Sequence, residues 1–363
     1  MRLLLTGGGT GGHIFPAIAL AMEVHSQSAS NKILYVGSRV GMEASIVPEA
    51  GIEFKGITTR KLRKVASLDT VAVLLSLLKG YREAKNVIKT FRPDVAIGTG
   101  GYVAGATIFA AARLKIPTVI LGPDAAPGRT NLWLSRYVKR VCIWLGDVDG
   151  AFPRGKTTVT GMPVRRDIVS PVAVEEARVN FGLSPDDFTV LVIGGSQGAQ
   201  RLNELVVESL KHLPTSVQVL HQTGAKNIDQ ILSQQIETKA RHIPVGFMNA
   251  SQTPLAYRSA DMIICRSGVS TLAESALNGL PMFMVPLPSA YADHQTLNAA
   301  VVVNAGAGKL LRQPELTGQV IADEICQMMS DRSTYDGYGT KSLAMGRPLA
   351  ARDIITIASG YLK

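Results

Sequence analysis

The sequence predicts an α/β protein of two doubly wound, parallel-sheet domains, and three observations carry that expectation. At 363 residues the chain has room for two domains of the usual roughly 100–200 residues. Short aliphatic runs alternate with helical stretches along its length, the βαβ rhythm of a parallel sheet. Both halves also open alike, each with an aliphatic strand that enters a glycine-rich turn and then a helix: LLLTGGGTGGH near the start and VLVIGGSQGAQ in the middle.

In order, the first half reads as the strand RLLL, a helix over 16–26, the strand KILYVG, a helix near 42–50, a helical segment over 69–90, the strand DVAIG, a helix over 103–114 and the strand PTVIL. After Pro153 and the Met162-Pro163 turn the rhythm restarts with TVLVIGGSQGAQ, SVQVLHQTG, HIPVG, ADMIIC, PMFMVP and AGKLL. The expected domains are residues 1–163 and 164–340, with 341–363 a C-terminal helix packing back on the first.

Composition excludes several classes. With 46% hydrophobic and 18% charged residues the chain is neither disordered nor collagenous. Its three cysteines, Cys142, Cys265 and Cys326, contain no CxxC pair, so neither a disulfide framework nor a zinc site has enough ligands, and a reducing cytoplasm fits. The aliphatic run Val71 to Leu78 spans eight residues, against about 20 for a membrane-crossing helix. Thr6 and a glycine run follow Met1 to Leu5 at once and leave no signal-peptide h-region, so export is not expected.

The net charge of +10 is unevenly distributed: residues 1–165 carry 22 Lys/Arg and 10 Asp/Glu, and the remainder 16 and 18. Nine basic residues fall within 60–92, around the apolar run VAVLLSLL. Nucleic acid is disfavoured, because this segment offers only Tyr81 and Phe91 for stacking. An anionic membrane surface suits it better, at about 1 kcal/mol per well-placed Lys or Arg, while a solvated amphipathic helix is the plain structural alternative.

Gly7 to His13 follows a strand and opens a helix, an arrangement that turns backbone N–H groups and a helix dipole toward an anion. Gly7, Gly9 and Gly12 also satisfy G-x-G-x-x-G, but the next strand ends in Ser38-Arg39 with no acid for an adenosine ribose; NAD is disfavoured, and Arg39 leaves NADP open. The second loop, Gly194 to Gly198, has Ala199 where the third glycine belongs. His13 stands at a helix N-terminus, where the dipole keeps an imidazole neutral and fit for general-base work, although a lone histidine is more often structural. Gly98 to Gly101 forms a third strand-end glycine turn. In CRSGVSTLAE, Thr271 and Glu274 have capping-box spacing; the functional alternative is that the helix start binds a diphosphate and Glu274 accepts from ribose hydroxyls. Asp147-Val148-Asp149 has the D-x-D form of some metal-dependent sugar transferases, but helix dipoles and arginine already offer charge compensation.

Taken in order, GGTGGHIFPA, MEASIVP, GTGGYVAGA, TNLWLS, GMPVRRDI, GGSQGAQRLN, CRSGVSTLAES, GLP and DHQTLNA resemble the MurG family over essentially the whole chain. The resemblance implies a GT-B fold, two Rossmann-like domains with the active site in the cleft between them. It also implies transfer of N-acetylglucosamine from UDP-GlcNAc to undecaprenyl-pyrophosphoryl-MurNAc-pentapeptide, lipid I, with inversion at the anomeric carbon, no bound metal and no other cofactor. By match, Thr10, Gly11 and Gly12 would contact the donor sugar and the acceptor, with His13 the candidate base. Arg165, Ser196 and the segment Val269, Ser270, Thr271, Leu272, Ala273 and Glu274 would hold UDP, Met248 would read uracil by main-chain groups, and Gln295 would bind sugar hydroxyls. One position departs from the family: where a His-Glu-x-Asn stretch usually follows the strand matching PTVIL, this chain has Leu121-Gly122-Pro123-Asp124. Asp124 keeps an acceptor oxygen and loses the amide donor, so it is a second candidate base or the mark of a different acceptor. The expected setting is peripheral, on the cytoplasmic face of the cell membrane, with anionic inner-leaflet lipids as partners. A UDP-sugar transferase for another acceptor, an NADP oxidoreductase and a noncatalytic basic binding module are the rivals.

Overall fold

A computed structural model of the chain describes residues 1–59, 68–145, 150–195, 198–234 and 236–362, with backbone alone for 68–74. The chain divides into two compact units: Met1–Arg165 with Arg347–Lys363, and Arg166–Gly346.

The first unit runs β1 (Arg2–Gly7), α1 (Gly11–Gln27), β2 (Lys32–Ser38), α2 (Glu43–Glu49), β3 (Glu53–Ile57), α3 (Leu68–Phe91), β4 (Val95–Gly100), α4 (Gly101–Arg113), β5 (Thr118–Leu121), α5 (Arg129–Leu134), β6 (Arg140–Ile143) and β7 (Thr157–Val159). The second runs α6 (Val174–Val179), β8 (Phe188–Ile193), α7 (Gln200–Ser209), β9 (Val217–Gln222), α8 (Ile228–Leu232), β10 (Arg241–Val245), α9 (Gln252–Ser259), β11 (Met262–Cys265), α10 (Val269–Leu277), β12 (Met282–Met284), α11 (His294–Asn304), β13 (Gly308–Leu310), α12 (Gly318–Ser330) and α13 (Arg332–Met345). The last helix, α14 (Ala350–Ser359), returns to the first unit. Against the boundaries expected at 163/164 and 340/341, the units divide at 165/166 and 346/347, because α13 continues unbroken through residue 340.

Each sheet is parallel. The first has the order β3-β2-β1-β4-β5-β6-β7 and the second β10-β9-β8-β11-β12-β13. Strand alternation distributes the apolar runs to both faces. Leu3 and Leu5 pack with Ile14 and Ile18 of α1 and Ile354 and Ile355 of α14, whereas Leu4 faces Ile88 of α3 and Ile108 of α4. In the second unit Val190 and Val192 meet Leu202 and Leu205 of α7 and Ile325 of α12. Pro244, which cannot donate to a ladder, sits on the edge strand β10.

Some elements differ from the sequence reading. Helix α1 begins at Gly11 rather than 16 and carries Pro16 inside it, because packing of Ile14 and Ala17 outweighs the lost N–H. The three- and four-residue strands β6 and β7 are too short to show a period. No helix among the described residues is long and apolar enough to cross a membrane.

Candidate active site

In an open doubly wound sheet, ligands meet the carboxyl ends of strands where the winding reverses. In the first unit that point lies between β1 and β4, and the loops emerging there are Gly8–Thr10 and the Gly100-Gly101 turn. In the second it lies between β8 and β11, from which Gly194-Gly195 and Arg266–Gly268 emerge.

His13 occupies the first turn of α1 and is half-buried. Its Nδ1 lies 3.1 Å from the Thr99 carbonyl oxygen, and the Thr99 hydroxyl donates to the His13 carbonyl at 2.6 Å. A carbonyl only accepts, so Nδ1 carries a proton, and whenever the ring is neutral Nε2 is its basic nitrogen. Glycine is required opposite this ring: Gly100 has φ +115°, and a Cβ there would stand 2.6 Å from His13 Nδ1. Thr10 caps the helix by its backbone alone, with its side chain exposed and making no cap bond; Gly11 is buried and Gly12 exposed. The loop is not an open anion nest throughout, because the Gly9 N–H is directed to the Glu43 carboxylate at 3.3 Å. One amide of the loop is thus already directed to a carboxylate of the protein itself. Arg39, which left NADP open, is engaged with the Gly56 carbonyl at 3.0 Å and with Glu83 at 3.1 Å.

Asp124 is half-buried in the loop after β5, the strand next to β4, so it shares the carboxyl edge with the His13 loop. Asn131 anchors that loop from α5 by donating to the Leu121 carbonyl at 2.7 Å. Arg165 closes the first unit and is half-buried.

In the second unit α10 starts at Val269 with Gly268 as N-cap, which places Thr271 inside the helix; the capping-box reading of Thr271 and Glu274 is therefore corrected. Among the described residues no side chain caps the helix start, and the hydroxyls of Ser267 and Ser270 have no hydrogen-bond partner. Val269, Leu272 and Ala273 turn into the core, whereas Ser270, Thr271 and Glu274 are half-buried. Glu274 Oε2 accepts from the buried Tyr257 hydroxyl at 2.8 Å, and Tyr257 is pushed far above the usual phenol range by burial first and by that carboxylate second. Behind the helix start, the buried Arg266 guanidinium donates to the Val285 and Pro286 carbonyls and to Gln313 Oε1 at 2.9, 3.0 and 2.7 Å.

Met248 is buried beside the half-exposed Phe247. Its N–H donates to Gln222 Oε1 at 3.1 Å and its carbonyl accepts from the Thr253 hydroxyl at 3.3 Å, so both main-chain groups have protein partners. Gln295 is half-buried and its Oε1 accepts from the Leu287 N–H at 2.9 Å. Ser196 and Asp147-Val148-Asp149 lie outside the described residues. No group of three or more His, Cys, Asp or Glu side chains able to hold a metal occurs among the described residues.

Sequence reasoning passed over the polar train behind the second glycine loop. Asn203 donates to the Thr223 carbonyl at 2.9 Å and accepts at Oδ1 from His221 Nε2 at 3.1 Å, and His221 Nδ1 in turn meets His242 Nε2 at 3.2 Å. The signal was HQTG at the end of a strand, where polar residues interrupt an apolar run.

Comparisons with known proteins identify the family. Residues 3–143 match the glycosyltransferase family 28 N-terminal domain, and residues 189–354 the glycosyltransferase family 28 C-terminal domain. Among curated relatives, the UDP-N-acetylglucosamine–N-acetylmuramyl-(pentapeptide) pyrophosphoryl-undecaprenol N-acetylglucosamine transferase of Desulforamulus reducens is 39% identical, with 98% of this chain and 97% of the relative covered. Its counterpart from Geobacter sulfurreducens is 37% identical, with the same shares covered. Among solved structures, Acinetobacter baumannii MurG is 29% identical with a TM-score of 0.76 and 99% of each chain covered. A Neisseria meningitidis UDP-GlcNAc 2-epimerase, at 15% identity and a TM-score of 0.65, shares the fold. With both domains matched in order and relatives spanning nearly its full length, the chain belongs to the MurG family of glycosyltransferases, with the GT-B fold of two parallel-sheet domains.

Proposed function

We propose that the protein transfers N-acetylglucosamine from UDP-GlcNAc to the C4 hydroxyl of the MurNAc residue of lipid I, with inversion, as a step in peptidoglycan synthesis. The observation that carries the mechanism is the bond from His13 Nδ1 to the Thr99 carbonyl, which leaves Nε2 as the base. Nε2 accepts the acceptor hydroxyl proton as that oxygen attacks the anomeric carbon. The bond from that carbon to the UDP oxygen breaks from the opposite face, and its electron pair leaves with the diphosphate. Base assistance of this kind contributes about 10²–10⁴-fold. The uncapped start of α10 and the Arg165 guanidinium supply positive potential for the departing diphosphate. Ser196 joins them, Glu274 takes the ribose, Met248 borders the uracil and Gln295 holds sugar hydroxyls. Thr10, Gly11 and Gly12 line the acceptor side, where Asp124 accepts from an acceptor hydroxyl or serves as a second base.

The lipid-linked acceptor calls for a membrane contact, and the first unit offers one. Leu75, Leu77 and Leu78 of α3 are 62%, 43% and 49% exposed. Trp133 and Tyr137, 41% and 45% exposed, pack on Phe109 with ring centroids 4.8 and 5.1 Å away. Lys79, Arg82 and Lys85 follow on α3, so exposed leucines share that helix with basic side chains, the composition that binds an anionic interface. The basic residues at 60–67 lie outside the described residues.

The test is transfer of labelled N-acetylglucosamine from UDP-GlcNAc to a short-chain lipid I analogue, with and without EDTA. EDTA-resistant product is expected. Binding of UDP-GlcNAc without product would overturn the acceptor assignment and direct attention to Asp124.

A further inference from the structure

We propose that Glu43 is a positioning residue for sugar transfer: its buried carboxylate grips the Gly8–Gly9 peptide from below and so fixes the loop that carries Thr10 and His13. The proposal rests on the reading of that loop as the part of the site that activates the acceptor.

Glu43, the first residue of α2, has no exposed surface. Its Oε1 accepts the Ser38 N–H at 3.0 Å and its Oε2 the Gly9 N–H at 3.3 Å. No ion pair to Glu43 occurs among the described residues, so two backbone amides, one at the end of β2 and one in the glycine loop, receive this carboxylate. Burial of a carboxylate is costly even when backbone amides receive it, and a chain that merely needed to fill this space would do better with an apolar side chain.

Instead the sequence clears room for the carboxylate with three glycines. A Cβ at Gly8 or Gly41 would collide with the carboxylate itself, and one at Gly37 would stand 2.7 Å from Glu43 Cγ. Two of these glycines belong to the segment just before Glu43, and the third belongs to the loop it holds.

The held group is a single peptide plane with two ends. Its N–H, from Gly9, is the one that Glu43 accepts. Its carbonyl, from Gly8, packs so tightly against Gly101 that a Cβ there would collide with it, and that same Cβ would stand 3.2 Å from His13 Cδ2. Gly8 at φ +153° and Gly9 at φ +86° give the peptide this orientation, and the Tyr102 ring bounds Gly9 on its other side. Rotation of the plane would break the bond to Glu43 and move the carbonyl that abuts the turn behind the His13 ring. The carboxylate thus reaches the imidazole through one rigid group.

The experiment compares Glu43→Gln with the unaltered full-length protein. Glutamine conserves size but turns one acceptor oxygen into an NH₂ that faces a backbone N–H. A displaced loop of this kind is expected to lower kcat by about tenfold to about a hundredfold. The Kd for UDP, which lacks the sugar that Thr10, Gly11 and Gly12 would meet, is read by titration calorimetry and stays within about twofold, because sites without shared contacts do not couple. In a His13→Ala background the same substitution is expected to cost less than about twofold, the non-additivity of groups that act together. Normal kcat in Glu43→Gln overturns the proposal, as does a loss shared equally by kcat and UDP binding, or a full additional loss on top of His13→Ala. If Glu43→Gln does not fold, Gly8→Ala presses on the same carboxylate from the loop side and is expected to give the same kcat-only loss. Near-normal turnover of His13→Ala would instead remove the base assignment; the split between kcat and UDP binding then decides on Glu43 alone, and a kcat-only loss supports it.

Discussion

His13 and Thr99 hold one another by two bonds, from the imidazole Nδ1 to the Thr99 carbonyl at 3.1 Å and from the Thr99 hydroxyl to the His13 carbonyl at 2.6 Å. The pairing joins the first turn of α1 to the end of β4 across the point where the sheet reverses its winding. It fixes both the tautomer and the direction of the ring, two things a general base needs.

His13→Ala is therefore expected to lower kcat by about 10²–10⁴-fold with unchanged affinity for UDP-GlcNAc. Gly100→Ala should reproduce part of this loss, because a methyl group 2.6 Å from Nδ1 must displace the ring at a backbone φ of +115°. Steady-state kinetics with the donor and acceptor varied in turn check both; a normal Gly100→Ala enzyme would show that ring placement does not matter.

Glu274 serves the fold, and in the function proposed above it also takes the donor ribose. Removal of its carboxylate in Glu274→Ala leaves the buried Tyr257 hydroxyl without its acceptor, a loss of about 1–3 kcal/mol in stability, together with a raised KM for UDP-GlcNAc. Tyr257→Phe separates the two effects. It releases the carboxylate without stranding a buried donor, so KM should move little, and denaturant melts beside donor kinetics measure the difference.

The histidine pair behind the second glycine loop predicts acid lability. Burial lowers His221 to about 3, with the neighbouring His242 adding to the effect, and burial lowers His242 to about 4. The unfolded chain takes up these protons near pH 6.5, so it binds more protons than the native state over the interval below that value. Stability should accordingly fall with pH from about 6.5 toward about 4, at up to about 1.4 kcal/mol per pH unit for each histidine. Above pH 7 the pair contributes no slope. Urea midpoints between pH 7 and 5 test this, and a His242→Phe variant should show a shallower dependence.

Membrane attachment should depend on both charge and the exposed aromatic cluster. Trp133→Ala is expected to weaken binding to vesicles that contain phosphatidylglycerol, and rising salt to weaken it further as the Debye length drops below about 10 Å. Co-sedimentation across a salt series is the measurement. Binding indifferent to salt and to anionic lipid would exclude the electrostatic part.

By itself the sequence determined the two-domain parallel-sheet architecture, because short apolar runs that end in glycine turns are compatible with little else. It also placed His13 at a helix N-terminus, since a glycine loop between strand and helix marks a helix start, although periodicity alone put that start at residue 16 rather than at Gly11. Tertiary structure decided what each group faces. No local pattern reports that the Gly9 amide is directed to a carboxylate 34 residues away, or that the imidazole rests on a carbonyl 86 residues away. Nor does spacing tell a capping threonine from one inside a helix: Thr271 and Glu274 fit the motif, yet Gly268 starts the helix three residues earlier. Periodicity records which face of an element is apolar; pairing of polar atoms across the fold depends on strand order and register, and those are fixed only when the sheet assembles.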